Sequence, residues 1–160
     1  GGNGPLFNHH VRLATSLGLG DRIVFPGRIP DEELPVYYHA SDIFCMPSCE
    51  PSEAFGLAQL EAMACAKPVV CCQLNNGVNY VHQHGITGLA VPPRDPAALA
   101  EAINALIQDE ALRRKMGEAG RIRALTEFSL EKMSEGMLEV YRAILGNDAR
   151  SRSRERASGG

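Results

Sequence analysis

The chain has 160 residues, 44% hydrophobic and 22% charged, the balance of an ordinary soluble globular domain. Its net charge of −3 argues against a nucleic-acid role, which asks for a basic surface. No apolar run approaches the ~20 residues of a membrane span. The opening Gly-Gly-Asn-Gly lacks the basic and apolar segments of a secretory signal, and it lacks an initiator Met, so a fragment of a longer protein is expected. The cysteines, Cys45, Cys49, Cys65, Cys71 and Cys72, contain no C-x-x-C pair and fit neither a disulfide framework nor a zinc site. They point to a reducing compartment, the cytoplasm.

Gly1 to Pro5 is glycine-rich. Apolar positions 7, 11, 13, 14 and 17 predict a helix over Phe7 to Leu17, stopped by Gly18 and Gly20. Ile23-Val24-Phe25 reads as a short strand closed by Pro26-Gly27. Asp31 is expected to cap a helix over Glu32 to Ala40, with acids in its first turn and Pro35 in its early part. Ile43 to Met46 is an apolar strand ended by Pro47.

The stretch Pro47 to Cys72, PSCEPSEAFGLAQLEAMACAKPVVCC, reads as loop, glycine turn, helix, stop and strand. Glu53 and Glu61 are eight positions apart, so on one continuous helix they would point roughly 80° apart. A helix starting near Gly56 instead leaves Glu53 on the loop at its mouth and Glu61 a turn inside. Such a start offers backbone N–H groups and a positive dipole end to a diphosphate. An ionised Glu only accepts hydrogen bonds, so it can bridge vicinal sugar hydroxyls. Lys67, the one cation in this stretch, lies beyond the helix, so charge to balance a diphosphate has to come from elsewhere. The plain alternative is an amphipathic helix with two solvated glutamates.

After Pro68, Val69 to Cys72 is a strand, Gln73 to Asn76 a polar loop, and Gly77 to Val81 a short helix or turn. Leu89-Ala90-Val91 is a strand ended by Pro92-Pro93. Asp95 caps the next helix with Pro96 at its first position. Helices over about Glu110 to Leu125 and Leu130 to Leu145 follow, the last capped by Ser129. Residues 147–160 are expected to be a disordered tail. Unbroken apolar strands alternating with helices predict an α/β fold, a Rossmann-like, doubly wound parallel sheet with helices on both faces, over residues 1–146.

The Glu53–Glu61 spacing inside PS…EAFGLAQLEAMACAKPVV resembles the signature of retaining GT-B glycosyltransferases of family 4. GNGP at 2–5, GLGDRIVFPGRIP at 18–30, YYHASDIFCMPS at 37–48 and HGITGLAVPPRDPAALAEAI at 84–103 extend the resemblance over most of the chain. It implies the donor-binding, C-terminal half of a two-domain enzyme, its first strands and its N-terminal acceptor domain upstream and outside this chain. It implies a nucleotide-diphosphate sugar as donor, UDP- or GDP-linked, with no cofactor and no metal. The acceptor would be a carbohydrate or lipid-linked group in bacterial surface polysaccharide or glycolipid synthesis, at the inner face of the membrane. By the same resemblance Glu53 holds the donor sugar as the catalytic-site acid, and Glu61 the ribose. Backbone N–H groups of Phe55, Gly56 and Leu57 face sugar and diphosphate, and Gly4 belongs to the GNGP loop of the donor site. The usual Arg and Lys that steady the leaving diphosphate would lie upstream, and the fragment alone would be inactive.

Ligands in an open parallel sheet sit at the carboxyl ends of the strands, so GNGP, Gly27-Arg28-Ile29, Pro47 to Glu53 and Gln73 to Asn79 are expected on one rim. Arg28 reads equally as a neighbour of base or ribose and as an exposed arginine. Where the family's commoner loop has a second Gly, a Pro and a Glu, this chain has Asn76, Asn79 and Tyr80. Ala54 and Ala66 replace glycines, so either those positions are not left-handed or they are strained. His9, His10, His39, His82 and His84 form no metal spacing and read as surface or structural histidines. A non-catalytic nucleotide-sugar-binding or assembly module of the same fold is the alternative. An epimerase lacks support in the 47–72 stretch.

Overall fold

The structure is a computed structural model that describes the backbone of residues 1–157 and the side chains of residues 1–145. It divides into two compact units, Gly1–Ser41 and the residues from Asp42 onward.

In the first unit, helix α1 spans Phe7–Ser16, a 3-10 turn spans Gly20–Arg22, and helix α2 spans Leu34–Ala40. The Phe7 ring meets Phe25 edge-on at 5.9 Å. Two expectations are corrected here. Residues 23–25 form no strand: Ile23 is extended, but the run pairs with no strand among the described residues. A strand exists through its ladder, and an apolar triplet does not supply one. Nor does Asp31 cap α2. Residues 31–33 turn on bonds from the Glu33 and Leu34 amides to the Pro30 carbonyl, and the helix starts at Leu34 with Pro35 in its first turn. Proline, which lacks an N–H, suits that first turn and no later one.

The second unit is built on strands β1 (Phe44–Met46), β2 (Val69–Cys72) and β3 (Gly88–Val91), all parallel in the order β1-β2-β3. Helices α3 (Leu57–Ala64), α4 (Gly77–Val81), α5 (Pro96–Gln108), α6 (Glu110–Glu127) and α7 (Leu130–Ala157) connect and follow them. Side chains alternate along β2. Val69 and Cys71 join Met46, Met63, Val78, Val81 and Ala124 on one face, while Val70 joins Val91, Ala102, Leu106 and Met116 on the other. Both faces are therefore covered, which is why Val-Val-Cys-Cys has no polar position. Each fully buried Val or Met contributes about 1.5–3 kcal/mol relative to exposure. The cysteines are free, and burial pushes the Cys71 thiol up to about 12, so it behaves as a small apolar group.

Helix starts follow local chemistry. Asp95 Oδ1 accepts from the Ala98 amide at 2.9 Å with Pro96 behind it, and Asp109 does the same for Leu112 at 2.8 Å. Ser129 caps α7 through the Lys132 amide at 3.3 Å. The sequence ends α7 near Leu145, and the backbone is helical through Ala157, which corrects that boundary. Of the tail expected at 147–160, the side chains and residues 158–160 lie outside the described residues. Helix α6 lies close on α3 through two glycines. A Cβ at Gly117 would overlap the Ala66 carbonyl oxygen, and one at Gly120 would sit 3.3 Å from Met63 Cγ.

Candidate functional site

Because the three strands are parallel, the loops after β1, β2 and β3 leave the same edge of the sheet. The first of these loops carries the chain into α3 through Gly56, at φ 75° and ψ 62°. The left-handed backbone angle calls for glycine, and a Cβ on Gly56 would lie 2.8 Å from Met46 Cε and 3.0 Å from Gln59 Nε2, so a side chain there would also displace these side-chain ends. The first bond of the helix runs from the Gln59 amide to the Gly56 carbonyl at 3.1 Å. The Leu57 and Ala58 amides come before it, at the positive end of the helix dipole.

Glu53 lies on the loop, half-buried, with its Oε2 3.4 Å from the Ser48 hydroxyl. Glu61 stands exposed on α3, about 6 Å along the axis from Leu57. Phe55, Gly56 and Leu57 fall between them in the chain, at the start of α3, and Glu61 is the fifth of its eight residues. Ala54 is not left-handed, whereas Ala66, beyond the far end of α3, is, at φ 58°. The strain raised by the two alanines therefore falls at Ala66, away from Glu53, and amounts to about 1 kcal/mol or more. Half-buried Lys67 follows at that same far end, its amide bonded to the Ala62 carbonyl at 3.0 Å.

Gly4 and Arg28 belong to the Gly1–Ser41 unit. Gly4 is exposed, accepts from the Phe7 amide at 2.9 Å, and lines a cavity of about 520 Å³ with Leu6, Phe7, His10, Phe25 and Gly27. Arg28 is exposed, in an open depression with Pro30, Asp31 and Glu32.

Several residues hold the loop through contacts that the sequence does not foretell, although Asn76 and Tyr80 stand out in it as departures from the family's loop. Asn76 Nδ2 donates to the Glu53 carbonyl at 2.7 Å. Buried Gln59 donates to the carbonyls of Phe55 at 2.9 Å and Val78 at 3.0 Å. The Phe55 ring meets Phe128 edge-on at 6.0 Å, and Phe128 meets Tyr80 at 5.9 Å. The Arg123 guanidinium lies 5.1 Å from the Phe128 ring centre and donates to the carbonyls of Val81 (3.0 Å) and Tyr80 (2.8 Å) at the end of α4. It is also paired with Glu127. One signal for Gln59 was present: an amide three and four positions before Ala62 and Met63, on the buried stripe of α3.

Beside this loop, Glu50 and Arg94 form an exposed ion pair at 2.5 Å. Pro47, Cys49, Cys72, Arg94 and Asp95 line a cavity of about 190 Å³ next to it. His82 is a structural histidine. It is fully buried with Nδ1 3.2 Å from the Thr87 hydroxyl, and burial, then neighbouring His84, pushes its pKa down to about 4. Among the described residues no three His, Cys, Asp or Glu side chains gather as a metal site needs. Among the same residues, no helix is long and apolar enough to cross a membrane.

Residues 1–123 match the family described as Glycosyl transferases group 1. The O-antigen chain mannosyltransferase C of Escherichia coli is 32% identical over 144 residues, 90% of this chain and 38% of that protein. Among solved structures, sucrose-phosphate synthase from Thermosynechococcus elongatus superposes with a TM-score of 0.79 at 36% identity, covering 92% of this chain and 38% of that one. Anabaena HepE solved with UDP gives a TM-score of 0.79 at 28% identity, over 85% of this chain and 36% of that one, and HepE has also been solved with UDP-glucose. The chain thus spans well under half the length of these relatives. Its parallel sheet with helices on both faces is the α/β arrangement of GT-B glycosyltransferases. On the extent of the family match and the agreement of the fold, the chain belongs to the glycosyl transferases group 1 family.

Proposed function

We propose that this chain is the donor-binding part of a retaining, family 4 hexosyltransferase, and that the amino end of α3 holds a nucleotide-diphosphate sugar. The observation that carries the reading is the left-handed Gly56 start of α3, with Glu53 on the loop before it and Glu61 on the helix behind it. The diphosphate docks on the Gly56 and Leu57 amides, Glu61 bridges the ribose hydroxyls, and Glu53 accepts hydrogen bonds from the donor sugar. The Phe55 backbone faces the same sugar. Donors aimed at the charge that develops on the leaving diphosphate lower the barrier by several kcal/mol, with cations from the rest of the full-length enzyme completing the site. The UDP and UDP-glucose complexes of HepE support a nucleotide sugar as ligand. The E. coli mannosyltransferase supports a hexosyl donor and a role in surface polysaccharide synthesis; on this reading the full-length enzyme works at the inner face of the cytoplasmic membrane.

Titration of UDP- and GDP-sugars onto the chain and its Glu61 variants tests this. Hydrogen bonds to an ionised group contribute about 1.5–3 kcal/mol, so Glu61→Ala weakens binding at least about tenfold. Glu61→Gln keeps one acceptor and loses less. Equal affinities for the three proteins would remove Glu61 from the ribose. The chain without its acceptor domain is expected to transfer no sugar, and turnover by these 160 residues would contradict that.

A further inference from the structure

Asn76 uses both ends of its side-chain amide. Oδ1 accepts from the Val78 amide at 3.0 Å and so caps α4, while Nδ2 donates at 2.7 Å to the carbonyl of Glu53, 23 positions earlier. The two loops touch at the following residues as well. A Cβ on Gly77 would overlap the Ala54 carbonyl oxygen, and Gln59 binds the Phe55 and Val78 carbonyls with one nitrogen. Of these three attachments only that of Asn76 reaches Glu53 itself. A hydrogen bond that holds a residue's carbonyl restrains its ψ, and so restrains how the Cα–Cβ bond is oriented relative to the anchored peptide plane. The Glu53 carboxylate is itself approached by the Ser48 hydroxyl at a long 3.4 Å, so its aim depends on the backbone beneath it.

We propose that Asn76 is the positioning residue for Glu53, and that through this bond it sets how strongly the site prefers a sugar-bearing nucleotide over the bare diphosphate. The proposal rests on the reading of Glu53 as the acid that meets the donor sugar. It separates two quantities that a merely structural residue would change together: the affinity for the diphosphate, held by α3, and the increment contributed by the sugar.

The test is calorimetric titration of the chain with UDP against UDP-glucose, and GDP against GDP-mannose. The variants are Asn76→Asp, Asn76→Ser, Glu53→Gln and the double variant Glu53→Gln/Asn76→Asp. Asp and Ser keep an oxygen to cap α4 and lose the amide donor, and two variants are used so that misfolding of one does not decide the matter. The preference for the sugar-bearing ligand is expected to fall about tenfold, the worth of one hydrogen bond, in both Asn76 variants, with bare-nucleotide affinity unchanged. In the double variant it should fall no further than in Glu53→Gln alone. A preference lost in Glu53→Gln but kept in both Asn76 variants would overturn the role of Asn76 alone. Equal losses for nucleotide and nucleotide sugar would make Asn76 structural. A wild-type chain without the preference, or a Glu53→Gln variant that keeps it, would overturn the reading of Glu53 and this proposal with it.

Discussion

Helix α3 is flanked at both ends by a left-handed residue, and the two differ in kind. At the amino end Gly56, at φ 75°, adopts that conformation without strain, and the neighbouring Leu57 side chain is two-thirds exposed. Beyond the carboxyl end Ala66, at φ 58°, adopts it with a Cβ in place, and Gly117 of α6 closes over its carbonyl. The difference shows how the helix divides its work. The far end is strained but clamped by tertiary packing, and the near end is an unstrained, buried glycine followed by an exposed Leu57.

The largest effect is expected where the clamp is tightest. Gly117→Ala drives a Cβ into the Ala66 carbonyl, a backbone atom that cannot step aside, so α6 must lift from α3. A loss of about 3 kcal/mol in urea unfolding is expected, at the upper end for overpacking. A loss below about 1 kcal/mol would show that the far end is not clamped as described. Acid supplies the background against which both ends are judged. His82 in the fold sits at about 4, below its ordinary 6.5, so the unfolded chain takes the proton first. The stability from neutral His82 is whole above pH 6.5 and falls by up to about 1.4 kcal/mol per pH unit between 6.5 and 4. His82→Gln should flatten that part of the profile. An unchanged slope would mean that His82 is not held neutral.

At the near end, Gly56→Ala should cost about 2 kcal/mol, from the left-handed backbone and from displacement of Met46. It should also weaken nucleotide-sugar binding, because the α3 amides are re-aimed. The smallest effect has the opposite sign. Ala66→Gly relieves the left-handed strain and is expected to raise stability by up to about 1 kcal/mol, leaving ligand binding unaltered. Lower stability, or altered binding, would break the distinction between the two ends.

Legibility in the sequence followed the range of the forces. The Asp95-Pro96 start of α5, the Ser129 cap and Gly77 to Val81 as a short helix or turn were readable, because each depends on neighbours within about four positions, and Val69 to Cys72 was readable as a strand because a run without a polar position fits a sheet covered on both faces. Ile23 to Phe25 was misread because a strand depends on a partner that a triplet does not specify. Asp31 was misread because Pro35 set the helix start later than the acids suggested. At the candidate site, the glycine turn and its two glutamates stood out in the pattern. The contacts that hold them did not: Asn76 reaches back 23 positions, Gln59 forward 19, and Arg123 back 42 and 43, and although Asn76 departs from the family's loop and Gln59 sits on a buried stripe, neither pattern names its distant partner.

The central claim concerns one end of one helix, and amide chemical-shift mapping of the ¹⁵N-labelled chain tests it most directly. On addition of UDP-glucose or GDP-mannose, the account predicts the largest shifts at the amides of Phe55, Gly56 and Leu57, with Ala66 and Gly117 unmoved. Shifts centred on Ala66 and Gly117, or none at Phe55 to Leu57 with ligand bound, would contradict it.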